Sequence, residues 1–234
     1  MSIYTDNCHP VLDGFGVDGV TPKADILAFL TNGLTIDAQH LLRGPGVTVK
    51  LLPEAFTQAF ITPRSAIMHS NAGRTRTSWL SLWKYWARKD ISGEGHAQVD
   101  LDGMFVQMMP FNRKADCNYK ANSWVHFGTV YGAISFETQD NGSDSLPTTP
   151  WTLPQFEKMV AALTCACICY RIRCTAPAGP YDSGIGHHSL FREWSSFVGK
   201  TCPGAARIRQ MDELRRRVAE NLGAYYTHTG ETCP

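Results

Sequence analysis

Apolar residues recur along this chain with two different periods, and the period changes from segment to segment. Ser65-Ala66-Ile67-Met68-His69 is a short, nearly continuous apolar run, the pattern of a buried strand. A polar loop from Ser70 to Thr75 follows it. Trp79, Leu82, Trp83 and Trp86 then return at helical spacing, behind Thr77 or Ser78 as the N-cap. His96 to Leu101 and Met104 to Met108 flank Asp102-Gly103, a strand-turn-strand pattern that predicts a hairpin. Ala133 to Glu137 is another short strand ending in polar residues, and Asn141 to Pro150 has the composition of a loop. Thr152-Leu153-Pro154-Gln155 is a capping box with proline in the first turn, and Phe156, Met159, Val160, Leu163 and Cys167 continue on one helical face. Ile208, Met211, Leu214, Val218 and Leu222 define the last helix, with Gly223 as its expected stop. Strands alternating with long helices predict an α/β domain with a central mixed β-sheet flanked by helices.

Residues 1–62 follow neither period. They carry Gly-rich turns such as Asp13-Gly14-Phe15-Gly16 and Arg43-Gly44-Pro45-Gly46, the second without the Gly-Lys-Ser/Thr ending of a phosphate loop. The expected organisation is an N-terminal extension or subdomain over 1–62 and a catalytic domain over 63–234. A formal net charge of +1 gives no electrostatic reason to expect nucleic acid as a partner. Arg215-Arg216-Arg217 lie mostly off the apolar face of the last helix and predict a solvated surface. No apolar run is long enough to span a bilayer, so no membrane insertion is expected. The first residues lack the basic-then-apolar order of a signal peptide, so synthesis in a cytoplasm is the expectation. The 8 cysteines do not form the dense spacing of a disulfide scaffold. Cys165, Cys167 and Cys169 fall inside the helical pattern and read as small buried apolar residues, and no Cys-x-x-Cys pair points to a structural metal. The tryptophan stripe over 79–86 reads as core rather than as a sugar groove.

The chemical signal lies in three distant places. His69 ends the apolar run, His188 follows a Gly-rich turn in Gly184-Ile185-Gly186-His187-His188-Ser189, and Cys202 sits in Lys200-Thr201-Cys202-Pro203-Gly204. Two imidazoles and one thiolate make a three-ligand zinc site with an open fourth position, the composition of catalytic rather than structural zinc. No His-Glu-x-x-His or Gly-x-Ser-x-Gly motif is present, which removes the zincins and the α/β-hydrolase serine enzymes.

Five stretches in order then carry a family resemblance: Met68-His69-Ser70-Asn71-Ala72-Gly73, Gly95-His96-Ala97-Gln98-Val99-Asp100-Leu101-Asp102-Gly103, Ala115-Asp116-Cys117-Asn118-Tyr119-Lys120-Ala121-Asn122, Gly132-Ala133-Ile134-Ser135-Phe136-Glu137-Thr138, and Gly186-His187-His188-Ser189 followed by Lys200-Thr201-Cys202-Pro203-Gly204. Over residues 64 to about 221 the chain resembles the zinc-dependent N-acetylmuramoyl-L-alanine amidases of the type-2 group, which include bacteriophage endolysins and share a fold with peptidoglycan recognition proteins. The resemblance implies one catalytic Zn2+ held by His69, His188 and Cys202, with His187 as the rival for the second position. It implies Glu137 as the proton carrier and Lys200 as the group facing the developing oxyanion. Asn118, Tyr119 and His96 are the expected substrate-binding residues, with packing as the competing reading for His96. The implied substrate is bacterial peptidoglycan, reached after release from a host cytoplasm and cut by a monomer. The alternative is a recognition module that holds muropeptide without cutting it. One departure stands out: several members carry Tyr immediately before the histidine of the second stretch, where this chain has Gly95. That moves the expected proton transfer onto Glu137.

Overall fold

In the computed structural model of the chain, residues 14, 16–71, 77–88, 90–140 and 149–232 are described. A 7-stranded mixed sheet organises them. Its strands run in the order β3 (Val47–Val49), β6 (Phe105–Gln107), β5 (Ala97–Val99), β8 (Thr129–Thr138), β4 (Thr62–Ser70) and β9 (Gly184–His187), with β7 (Trp124–His126) pairing β8. Two short strands, β1 (Thr35–Ile36) and β2 (Leu42–Arg43), form a separate antiparallel pair. The helices are α1 (Lys23–Leu30), α2 (Trp79–Trp86), α3 (Leu153–Tyr170), α4 (Ala205–Ile208) and α5 (Met211–Thr229). Among the described residues, no helix is long and apolar enough to cross a membrane.

The two longest strands, β4 and β8, lie side by side and parallel, with Ile67 opposite Ser135 and His69 opposite Glu137. Successive side chains on a strand point to opposite faces. Ala66, Met68, Ile134 and Phe136 therefore share one face, where they pack with α3 and α5 in the main core. Ser65, Ile67 and His69 share the other with Ala133, Ser135 and Glu137. On that face Ile67 and Ala133 pack with Ala121 and Trp194. The sheet thus buries one face under helices and leaves the ends of β4 and β8 on the other free to hold polar groups.

The local signals act as their chemistry requires. Ser78, rather than Thr77, caps α2, its hydroxyl accepting from the Ser81 amide at 3.2 Å. Leu82 and Trp86 are buried, and the Trp83 indole donates to the Leu51 carbonyl at 3.1 Å. Thr152 and Gln155 form the reciprocal capping box at the start of α3, and Cys165, Cys167 and Cys169 are buried within that helix. β5 and β6 pair antiparallel around Asp102-Gly103, where Gly103 takes a φ of 83° that favours glycine. Residues 141–148, most of the expected loop over 141–150, lie outside the described residues.

The last helix differs from expectation at both ends. Ile208 belongs to the separate short α4, and α5 continues through Gly223 to Thr229. Burial of Tyr225 and Tyr226 extends the apolar face past the glycine and outweighs the roughly 1 kcal/mol of helix propensity that Gly gives up. The stop is Gly230, which takes the left-handed φ of 69°. The segment expected as an extension or subdomain contributes β3, which pairs in parallel with β6, and its Ile26, Leu27, Leu34 and Leu42 join the same core as α3 and α5.

Candidate active site

The C-terminal ends of β4 and β8 place His69 and Glu137 beside each other, with His69 Nδ1 at 3.6 Å from Glu137 Oε1. β9 adds the next group by strand parity. Gly186 lies opposite Ile67 and His187 opposite Met68, so the following residue, His188, returns to the face of His69. The two imidazole centroids are 4.3 Å apart. His187 instead lies on the α5 side, where the charge of Arg215 reaches it, and its Nδ1 is 3.1 Å from the Ser189 hydroxyl. The loop before α4 brings in the third group. The Ser70 amide donates to Cys202 Sγ at 3.2 Å, and Cys202 Sγ is 3.9 Å from His69 Nδ1. One ligand atom from each of His69, His188 and Cys202 lies within 4.8 Å of the others. A second set, His69, Cys117 and Glu137, meets the same criterion, with Cys117 Sγ at 3.8 Å from His69 Nε2.

These groups are held out of water, and their protonation follows from that. Burial drives His69 well below its usual range, helped by the neighbouring His188. Burial and Lys200 bring His188 down to about 4. Both imidazoles are therefore neutral at physiological pH, the form that binds metal. Burial raises Glu137 to about 7, against the pull of Lys200 and Arg207. Burial and then Glu137 push the Cys202 thiol up to about 12, a penalty that a dication beside the sulfur reverses.

The polar atoms test whether a metal fits. His188 Nε2 is 2.8 Å from the Trp194 carbonyl, which can only accept, so the ring proton sits on Nε2. His188 Nδ1 then carries a lone pair, and it is buried with no hydrogen-bond partner. Glu137 Oε2 is buried without a partner as well. A lone pair and a carboxylate oxygen left bare on the same side of the sheet as a thiol are what a cation would satisfy. The His, His, Cys donor set suits zinc.

No family model matches the chain, and no curated protein matches it. Solved structures do. The endolysin N-acetylmuramoyl-L-alanine amidase LysCS from Clostridium intestinale aligns with a TM-score of 0.52 at 14% identity, over 76% of this chain and 97% of that one. The Staphylococcus aureus hydrolase AmiA, solved with its ligand, aligns with a TM-score of 0.52 at 12% identity, over 86% of this chain and 90% of that one. The catalytic domain of XlyA aligns with a TM-score of 0.51 at 16% identity, over 74% of this chain and 98% of that one. The chain has the amidase fold.

Within this amidase fold the three donors and Glu137 line a cleft of about 770 Å³. Lys200 and Tyr119 line it too, as does Phe197, whose ring centroid is 4.8 Å from Lys200 Nζ. Two expected groove residues lie elsewhere. His96 is fully buried, and both ring nitrogens are engaged: Nε2 with the Arg113 carbonyl at 2.8 Å, Nδ1 accepting from the Ser135 amide at 3.1 Å. It braces β8 from the core and has no free edge for a ligand. Asn118 is also fully buried, under His69 rather than in the groove, with Oδ1 at 2.7 Å from His69 Nε2. Gly95 stands beside Glu137. A Cβ there would meet Glu137 Cγ and Trp86 Cη2 at 3.3 Å each, so a larger residue at 95 would press on both side chains. Tyr85, Cys117 and Phe197 were not expected to line the cleft. Only the Asp116-Cys117-Asn118 stretch carried a sequence signal for any of them.

Proposed function

We propose that this chain is a zinc-dependent peptidoglycan amidase that cuts the bond between N-acetylmuramic acid and L-alanine. The observation that carries the reading is the convergence of His69, His188 and Cys202 beside the buried, unpartnered oxygen of Glu137. The amidase fold supports it. His69, His188 and Cys202 would hold the ion, which when bound supplies a Lewis acid that acidifies a water and polarises a carbonyl.

Glu137 takes the proton from the attacking water while the water oxygen adds to the lactyl carbonyl carbon. The carbon–nitrogen bond then breaks, and the same carboxyl returns the proton to the alanine nitrogen. The products are a free lactyl carboxylate and a free amine. The ammonium of Lys200 faces the same cleft and offsets negative charge on the carbonyl oxygen. With glycine at 95, that position offers no phenol to share the proton transfer. The role we assign is lysis of a bacterial cell wall at the end of a phage infection, a reading drawn from the endolysins among the similar structures.

Digestion of purified peptidoglycan tests the proposal. The zinc-loaded protein is expected to release new alanine amino groups and no new reducing sugar ends, and Glu137→Ala is expected to release neither. Reducing ends without amines would identify a glycosidase and sink the reading. Muropeptide binding with no bond cleaved would replace it with a recognition module.

A further inference from the structure

We infer that Asn118 is a positioning residue that decides which nitrogen of His69 carries the proton, and so turns Nδ1 toward the metal; the inference rests on reading the cleft as a metal site. Asn118 sits in a turn rather than on a strand, yet it is fully buried and fully engaged. Its Oδ1 is 2.7 Å from His69 Nε2, and its Nδ2 donates to the Ser135 hydroxyl at 2.6 Å. Ser135 occupies the strand position between Ala133 and Glu137 on the same face, so the amide is clamped between the strand that carries His69 and the strand that carries Glu137. A carboxamide oxygen only accepts. His69 Nε2 must then bear the hydrogen, which leaves the lone pair on Nδ1, the nitrogen nearer Cys202 and Glu137.

The turn is built to hold that side chain in place. The Asn118 amide donates to Asn122 Oδ1 at 2.6 Å, and the Ala121 amide donates back to the Asn118 carbonyl at 3.0 Å. Tyr119, next in the chain, takes a φ of 51°, a left-handed conformation uncommon for a residue with a Cβ. His188 shows the same logic with a different partner: its Nε2 is fixed by a backbone carbonyl and its Nδ1 is left bare. Both rings thus present Nδ1, one set by the main chain and one by a side chain that substitution can change. Outer partners of this kind typically hold about 10–100-fold in metal affinity.

The test compares wild type with Asn118→Leu and Asn118→Asp. Ring-nitrogen NMR shifts of the metal-free proteins report the His69 tautomer, and competition against a chromophoric chelator reports zinc affinity. Wild type is expected to show the hydrogen on Nε2. Asn118→Leu is expected to mix the two tautomers and bind zinc about 10–100-fold more weakly. Asn118→Asp keeps an acceptor and is expected to hold Nε2–H and bind zinc at least as tightly as wild type. A hydrogen on Nδ1 in wild type overturns the inference, as does an aspartate variant that weakens zinc as much as leucine does. If Asn118→Leu fails to fold, the wild-type and aspartate measurements still decide. A wild type that binds no zinc would instead defeat the amidase reading, and the tautomer measurement would stand on its own.

Discussion

Replacing Glu137 with glutamine should make the metal-free protein more stable, and only at the higher end of the pH range. Glu137 is 7% exposed, one of its oxygens has no partner, and burial raises its carboxyl from 4.5 to about 7. Below pH 4.5 the group is protonated both folded and unfolded, and no penalty arises. Between 4.5 and about 7 the folded chain keeps a proton that the unfolded chain has released, so stability falls as pH rises. Each pH unit removes about 1.4 kcal/mol, and over the whole interval the loss totals about 3 kcal/mol. Glutamine preserves the shape and cannot ionise. With EDTA present, thermal melts of wild type and Glu137→Gln should therefore diverge from about pH 5 to pH 8. At about 2–4 °C per kcal/mol for a chain of this size, the variant should melt roughly 6–12 °C higher at pH 8. The same variant loaded with zinc should lose about 10²–10⁴-fold in turnover, the contribution of a positioned proton carrier. A melting difference that does not change with pH would refute the reasoning, because it would mean that the carboxylate carries no charge-dependent penalty.

Arg207 is fully buried and donates to the carbonyls of Thr138, Gln139 and Thr149, with Asp140 at 3.5 Å; Arg207→Met strips these acceptors of their cation, and denaturant melts should show a loss of about 3–5 kcal/mol. Gly223→Ala should raise stability by about 0.5–1 kcal/mol in urea unfolding, since Gly223 lies exposed inside α5 with nothing near its missing Cβ. Cys202→Ala should reduce tightly bound zinc from one ion per chain toward none by elemental analysis, while the metal-free variant keeps its fold by circular dichroism.

Local chemistry was legible in the sequence wherever it was enough to decide the outcome. The apolar run into His69, the capping box at Thr152 and Gln155, and the Asp102-Gly103 turn each act through neighbours a few residues away. The long-range parts were not. His187 and His188 are adjacent and chemically identical, and only the pairing of β9 with β4 decides which one meets His69. β9 itself gave no strand signal, because Gly186 replaces an apolar residue where a Cβ would meet the Trp194 ring at 2.6 Å. Residue type showed Asn118 and His96 to be polar, but their direction depends on Ser135, an amide and a hydroxyl on a distant strand. Gly223 looked like a helix stop because the burial of Tyr225 and Tyr226, which carries the helix onward, is a tertiary fact.

The proposed chemistry requires one ion in one place. Anomalous diffraction from crystals of the zinc-loaded protein, collected on either side of the zinc edge, tests that directly. A single peak is predicted at about 2.0–2.1 Å from His69 Nδ1 and His188 Nδ1 and about 2.3 Å from Cys202 Sγ. A peak bound by Cys117 and Glu137 instead, or no peak at the ends of β4 and β9, would contradict it.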